Sequence, residues 1–217
     1  MMPDRTLAAD VWSYWSLLKA LQSPEQIAAG AAESGYGAVL LADWCSLSGA
    51  LTFVEIAQAR GIRPLVGVTV PGPDGAPVRV VGRTQAAWPF LCQLVTTGRL
   101  DSFEAPPAGT VAYILAEGAA SPPAPMAFPV YRLVSDPAAV PPADQVPLAA
   151  LPFRYPEPAL APAWEALARV SREAHAGGTA WLAADALRDR FGATHPAVSG
   201  WGRLLDQVNE PAVPAYA

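Results

Sequence analysis

Metal or nucleophilic chemistry could draw on few residues here: two cysteines, two histidines and a scatter of carboxylates. Cys45 and Cys92 lie far apart and neither belongs to a C-x-x-C pair, so no zinc knuckle or disulfide framework is indicated. They read as small buried hydrophobes in a reducing compartment. A serine or cysteine nucleophile would need a histidine base. His175 and His195 both fall in the C-terminal third, and His195-Pro196 looks like a helix start where the imidazole has no special role. Gly-x-Ser-x-Gly, P-loop and His-Glu-x-x-His patterns are all absent. What remains is a set of segments at the expected strand ends, Asp10–Ser13, Ala42–Cys45, Gly67–Thr69 and Leu151–Tyr155, with the carboxylates Asp10 and Asp43 among them. Two carboxylates alone make a weak cation site, because a bound metal needs several N, O or S donors converging on it.

These positions depend on an alternation of strands and helices. Ser23-Pro24-Glu25-Gln26 reads as a capping box that opens a helix ending near Gly35. Gly37–Ala42 is an apolar run of strand length, as in a parallel sheet covered on both faces. A helix is expected over Leu47–Arg60 and a strand over Pro64–Val70. A turn over Pro71–Gly75, including Pro73, then leads to a returning strand at Val78–Val81, which makes a hairpin. Further expectations are a helix over Gln85–Val95 and strands at Thr110–Leu115, Val130–Val134 and Val146–Phe153. Half of the 24 prolines lie between Pro122 and Pro162, which implies rigid connections there. Helices follow over Ala163–His175, Ala180–Phe191 and His195–Val208. The pattern predicts one α/β domain over residues 1–217, a barrel or an open sheet, with its site at the carboxyl ends of the strands.

Composition narrows the function classes. With 52% hydrophobic and 15% charged residues the chain is not wholly disordered. A net charge of −5 gives no strong nucleic-acid signal. Lys19 is the only lysine; Arg63, Arg79, Arg83 and Arg99 could form a mild basic face, read as solvated surface. No stretch reaches the ~18 apolar residues of a membrane span, and the N-terminus lacks a basic-then-apolar leader, so a soluble, cytoplasmic protein is expected.

The ordered set of strand-end segments resembles the PHP (polymerase and histidinol phosphatase) domain, as found at the N-terminus of the bacterial DNA polymerase III alpha subunit. Asp10–Leu18 stands where the family has His-x-His-Ser-x-Tyr-Ser-Leu-Leu, and Ala42-Asp43-Trp44 where it has Thr-Asp-His. Gly49–Phe53 matches its Gly-Ala-x-x-Phe helix, Gly61–Thr69 its Gly-Ile-Lys-Pro-Ile-x-Gly-x-Glu, and Leu151–Tyr155 its late Asn-Asp-Val-His-Tyr. The resemblance implies a distorted (β/α)7 barrel with a helical C-terminal segment.

Active members of that family hold metal ions with His, Asp, Glu and sometimes Cys, and hydrolyse phosphoesters. Here the ligand positions carry Asp10, Trp12, Asp43, Trp44, Thr69, Pro152 and Arg154. Trp and Pro cannot ligate a metal and Arg would repel one. The resemblance therefore implies a degenerate, metal-free, cofactor-free PHP-like protein without catalytic residues. It would be a binding or scaffold protein, acting in trans with a polymerase-type partner in replication or repair, since a chain ending at Ala217 leaves no room for polymerase domains. The alternative is a residual phosphoesterase using Asp10 and Asp43, and a third reading is a small-molecule sensor. Trp12, Tyr14, Trp15 and Trp44 are expected to gather at the former metal cavity. Three readings of them stand: space-filling packing, a protein contact through Trp12, Tyr14 and Trp15, or a stacking platform for a ligand.

Overall fold

The computed structural model describes residues 5–72, 74–98, 106–117, 119, 129–171, 177–208 and 210–214. The expectations for Pro73, Arg99 and His175, and for the prolines of 122–125, fall outside them.

Seven strands form one sheet in sequence order: β1 (Leu7–Val11), β2 (Ala38–Trp44), β3 (Arg63–Pro71), β4 (Pro77–Gly82), β5 (Val111–Leu115), β6 (Val130–Val134) and β7 (Val146–Ala149). β1, β2 and β3 run parallel, β4 is antiparallel to both its neighbours, and β5, β6 and β7 are parallel again. The sheet curls until the chain after β7 reaches β1, where Phe153 bridges Val11 and also Thr179. The result is the expected distorted, nearly closed seven-stranded α/β barrel with a helical C-terminal segment.

Helices α1 (Pro24–Glu33), α2 (Ala50–Ala59) and α3 (Trp88–Thr97) follow the first half of the sheet. The Ser23 capping box forms as read: Ser23 Oγ accepts from Gln26 N–H, and Gln26 Oε1 accepts from Ser23 N–H. α3 ends at Gly98, which takes the left-handed φ of 64° that a glycine adopts without strain. Helices α4 (Ala161–Ser171), α5 (Ala184–Phe191) and α6 (Pro196–Gln207) complete the chain.

Among the boundaries that differ from the sequence reading, three have a backbone reason. β7 stops at Ala149, before Phe153, because the chain must leave β6 and cross to β1, and Pro152 has no N–H to continue a ladder. α5 starts at Ala184, not Ala180, because Thr179 is paired: its N–H donates to the Pro152 carbonyl and its carbonyl accepts from Arg154 N–H. α2 starts at Ala50 after Gly49, which offers no side-chain cap.

Period-two alternation sorts each strand onto two covered faces. On β4, Val78 and Val80 join Phe90, Leu91 and Leu94 of α3 in one core cluster, whereas Val81 belongs to the main core. Arg79 therefore shares the face opposite α3, with Thr69 and Ile114 as its cross-strand neighbours. α6 lies directly on β7. A Cβ built on Gly200 would stand 1.9 Å from the Pro147 carbonyl oxygen, while one on Gly202 would meet only the flexible end of Arg5 at 3.6 Å.

Those two glycines give a paired test. Gly200→Ala should destabilise the fold by about 3 kcal/mol through backbone overlap. Gly202→Ala in the same helix should stabilise it by up to about 1 kcal/mol through helix propensity. Urea unfolding of both variants checks this, and equal effects would mean that α6 does not pack on β7 in this way.

Candidate functional site

At the carboxyl end of the barrel lies a cavity of about 780 Å³, whose lining includes Asp10, Trp12, Trp44, Pro152 and Arg154. Five of the seven positions singled out in the sequence thus face one space. Thr69 does not line it, because its hydroxyl donates to the Ala42 carbonyl inside the sheet. Asp43 sits behind the wall, buried against the loop that follows β1.

Asp10 is the centre of the site. The β1–β2 register slips by one residue between Ala8 and Val11, a bulge that re-aims the side chains of this stretch. The Asp10 carboxylate oxygen Oδ1 accepts from Arg79 Nη2 at 2.6 Å and from Arg154 Nη2 at 2.7 Å. Arg154 Nη1 also donates to the Asp10 carbonyl at 2.9 Å. All three residues are buried. Burial alone would raise the Asp10 carboxyl, but the charges of Arg154 and then Arg79 outweigh it and hold it below the ordinary carboxylate range. Burial weakens the protonated form of Arg154, and Asp10 opposes that shift.

Asp43, at the end of β2, organises the loop that follows β1. It accepts from Ser13 N–H, Ser13 Oγ and Ser16 Oγ, each at 2.6 Å. Those hydroxyls in turn accept from Trp15 N–H and Trp44 N–H. Gln22 closes the same loop by donating to the carbonyls of Trp12 and Phe153 and accepting from Trp181 Nε1. Burial pushes the Asp43 carboxyl up to about 6, against the pull of its serine donors and Arg154.

The aromatic residues do not gather into one cluster. Trp12 is buried, with the Trp44 ring 6.0 Å away edge-on and the Arg154 guanidinium 3.9 Å from its ring centroid. Tyr14 and Trp15 form a separate pair on the outside, each 45% exposed, and Leu17 and Leu18 extend that surface. The cavity also remains open, so the tryptophans line it and do not fill it.

The expected basic face does not form among the described residues either. Arg79 is 3% exposed, and Arg63 and Arg83 donate to carbonyls at the end of α6, at Leu205, Val208 and Gln207. Arg79 is the functional residue that sequence reasoning placed wrongly. The signal was present: a single charge inside the apolar strand Val78–Val81. Lys19 is likewise buried, its Nζ 4.7 Å from the Trp44 ring centroid.

His195 has a structural role. Its Nδ1 accepts from Ala197 N–H and its Nε2 lies 3.1 Å from the Pro137 carbonyl, so it caps α6 and ties it to the loop after β6. Cys45 and Cys92 are free and half-buried, more exposed than a core reading implies.

The family model of the PHP domain matches residues 11–118. Over that stretch the chain belongs to the PHP-domain family. Among relatives, it is similar to error-prone DNA polymerases, at 36% identity over 87 residues for that of Xanthomonas axonopodis pv. citri and 31% for that of Idiomarina loihiensis. Each match covers 40% of this chain and 8% of the relative, so the chain spans a small fraction of the polymerases it matches. Among solved structures it is similar to an amidohydrolase from Chromobacterium violaceum, at 22% identity and a TM-score of 0.35, over 42% of this chain and 32% of that one.

PHP-domain chemistry rests on bound metal ions, and the residues of this cavity do not fit them. Asp10 is already held by two guanidinium groups, Asp43 is enclosed by serine donors, and the other matched positions offer indole, hydroxyl, pyrrolidine and guanidinium. Among the described residues no three His, Cys, Asp or Glu side chains converge. No helix there is long and apolar enough to cross a membrane.

Two expected outcomes follow from the burial and from the two carboxyls. Trp12→Ala should cost about 3–5 kcal/mol of stability, as large-to-small changes in a packed site do, whereas Trp15→Ala should change it by less than about 1 kcal/mol; thermal and urea melts check both. Asp43 holds its proton more readily folded than unfolded, so its contribution to stability grows as pH falls from about 6 to about 4. Asp10 holds its proton less readily, so its contribution is lost only as pH falls below the ordinary carboxylate range. The stability difference between wild type and Asp43→Asn should shift in favour of wild type by about 2 kcal/mol between pH 6.5 and pH 4.5. A difference independent of pH would show that Asp43 is not titrating in that window.

Proposed function

We propose that this chain is a PHP-type binding module in which the phosphoesterase site is degenerate, and that it works in trans with a polymerase of the error-prone DNA polymerase kind, in the cytoplasm, during replication or repair. The observation that carries the non-catalytic part is the pairing of Asp10 with both Arg79 and Arg154 where an active PHP domain would direct carboxylates and imidazoles at metal ions. A carboxylate that neutralises two buried guanidinium groups cannot be given to a cation without leaving those charges unpaired.

The partner part is supported by the exposed strip Tyr14, Trp15, Leu17 and Leu18, with Leu17 78% exposed. Aromatic and aliphatic side chains held out by a loop that is itself pinned at Asp43 and Gln22 are suited to act as anchors in a partner's pocket. The relatives supply the kind of partner: their 87-residue match lies in proteins that are DNA polymerases.

The test combines the purified chain with the error-prone polymerase of the same cell. A complex is expected, and Trp15→Ala should weaken it by about 30-fold or more, equivalent to about 2 kcal/mol, without lowering the melting temperature. Absence of a complex would overturn the partner assignment. Hydrolysis of a phosphomonoester that Asp43→Asn abolishes would overturn the non-catalytic reading and favour a residual phosphoesterase using Asp10 and Asp43.

A further inference from the structure

The barrel-mouth cavity has the volume of a small-molecule site, and the charges around it balance. Among the described residues, three cations, Lys19, Arg79 and Arg154, meet three carboxylates, Asp10 and Glu117 in the wall and Asp43 behind it. Asp10 takes both guanidinium groups, and the Asp43 charge also acts on Arg154. Lys19 Nζ lies over the Trp44 ring, and Glu117 accepts from Ser135 N–H and Ser135 Oγ. The donors left over, Arg79 Nε and Nη1 and Trp12 Nε1, are sealed beneath the wall and offer nothing to a molecule in the cavity. A ligand with a net charge would enter without a counter-charge, which is costly away from bulk water.

What a molecule in the cavity meets is ring and apolar surface. Trp44, Trp164, Ala76, Pro77 and Pro152 line it, and each is only partly buried. One residue holds both indoles: Lys19 Nζ lies 4.7 Å from the Trp44 ring centroid, and the Lys19 carbonyl accepts from Trp164 Nε1 at 3.3 Å. Trp164 also packs on Gly178, where an added Cβ would stand 2.6 Å from its ring. The helix that carries Trp164, α4, has no buried residue. Core packing therefore does not account for an indole fixed at the rim of this cavity.

We propose that this cavity is a receptor for an uncharged small molecule with a planar aromatic ring, held against Trp44 and Trp164. The proposal goes beyond the partner reading and rests only on its metal-free part, because a bound cation would upset the charge balance. An indole offers a flat, polarisable surface on which a second ring gains contact that a saturated ring of the same size does not. Pro77 and Pro152 add rigid apolar walls that ask for no hydrogen bond from the ligand through their nitrogens.

Calorimetric titration of the full chain in EDTA tests this with probes of matched size: 2-naphthalenemethanol, its saturated decalin analogue, 2-naphthoate and 2-naphthylmethylammonium. Saturable binding of the naphthalene alcohol is expected, with each of the other probes about 10-fold weaker or more. Trp44→Leu and Trp164→Leu should each weaken binding of the alcohol by about 10-fold or more. Ala76→Phe keeps both indoles but takes up cavity space, and should abolish binding while melting stays within a few degrees of wild type. Should all three variants bind as wild type does, or the decalin or a charged probe bind as well as the alcohol, the assignment is overturned. N-acetyltryptophanamide bound about 10-fold more tightly than the alcohol would overturn it in favour of a pocket for a partner's side chain. A parallel titration of the chelator-stripped chain with Mn2+ and Zn2+ separates the two readings. Saturable metal binding at the mouth, lost in Asp10→Asn, overturns both this proposal and the metal-free reading. Failure of the alcohol to bind a chain that also takes up no metal overturns the receptor alone.

Discussion

A single carboxylate oxygen, Asp10 Oδ1, holds two buried guanidinium groups that arrive from opposite sides of the barrel, Arg79 from β4 and Arg154 from the segment after β7. Removing charges from water is costly, and a buried cluster of this kind persists only with close geometry and further hydrogen bonds. Here Arg154 adds bonds to the carbonyls of Asp10 and Phe153, and its guanidinium lies over the Trp12 ring. The cluster ties the first strand to the last turn of the sheet at the place where the ladder itself gives only the isolated Val11–Phe153 bridge. Near-closure of the barrel and the chemistry of its mouth thus depend on the same three side chains.

The loop after β1 is held by a second set of polar contacts. Asp43 fixes Ser13 and Ser16, and Gln22 spans Trp12, Phe153 and Trp181. With its inner half pinned, the loop can place Trp12 inside and Tyr14, Trp15 and Leu17 outside. One short segment therefore supplies both a wall of the cavity and an exposed apolar strip.

Much of this was legible in the sequence. The capping box at Ser23, the buried run before Asp43 and the hairpin between Val70 and Val78 are local signals with local causes, and each appears as read. Five of the residues that the PHP-type order of segments singles out, Asp10, Trp12, Trp44, Pro152 and Arg154, line one space. What could not be read is long-range or depends on which face is covered. Asp10 and Arg154 meet across nearly the whole chain, and the bulge that re-aims Asp10 leaves no local mark. A barrel buries both faces of β4, so a charge assigned to solvent lies inside. The aromatic residues divided for a similar reason: their spacing did not reveal the serine contacts that turn the loop outward after Trp12.

The account stands on Asp10 being an ion-pair centre and not a metal ligand. A double-mutant cycle between Asp10→Asn and Arg154→Met, measured by urea unfolding in EDTA, tests that most directly. Asp10→Asn should destabilise the protein by about 3–5 kcal/mol because it leaves buried guanidinium groups unpaired. The cycle should return a coupling of about 2–3 kcal/mol. A coupling near zero, or an Asp10→Asn protein more stable than wild type, would contradict the account.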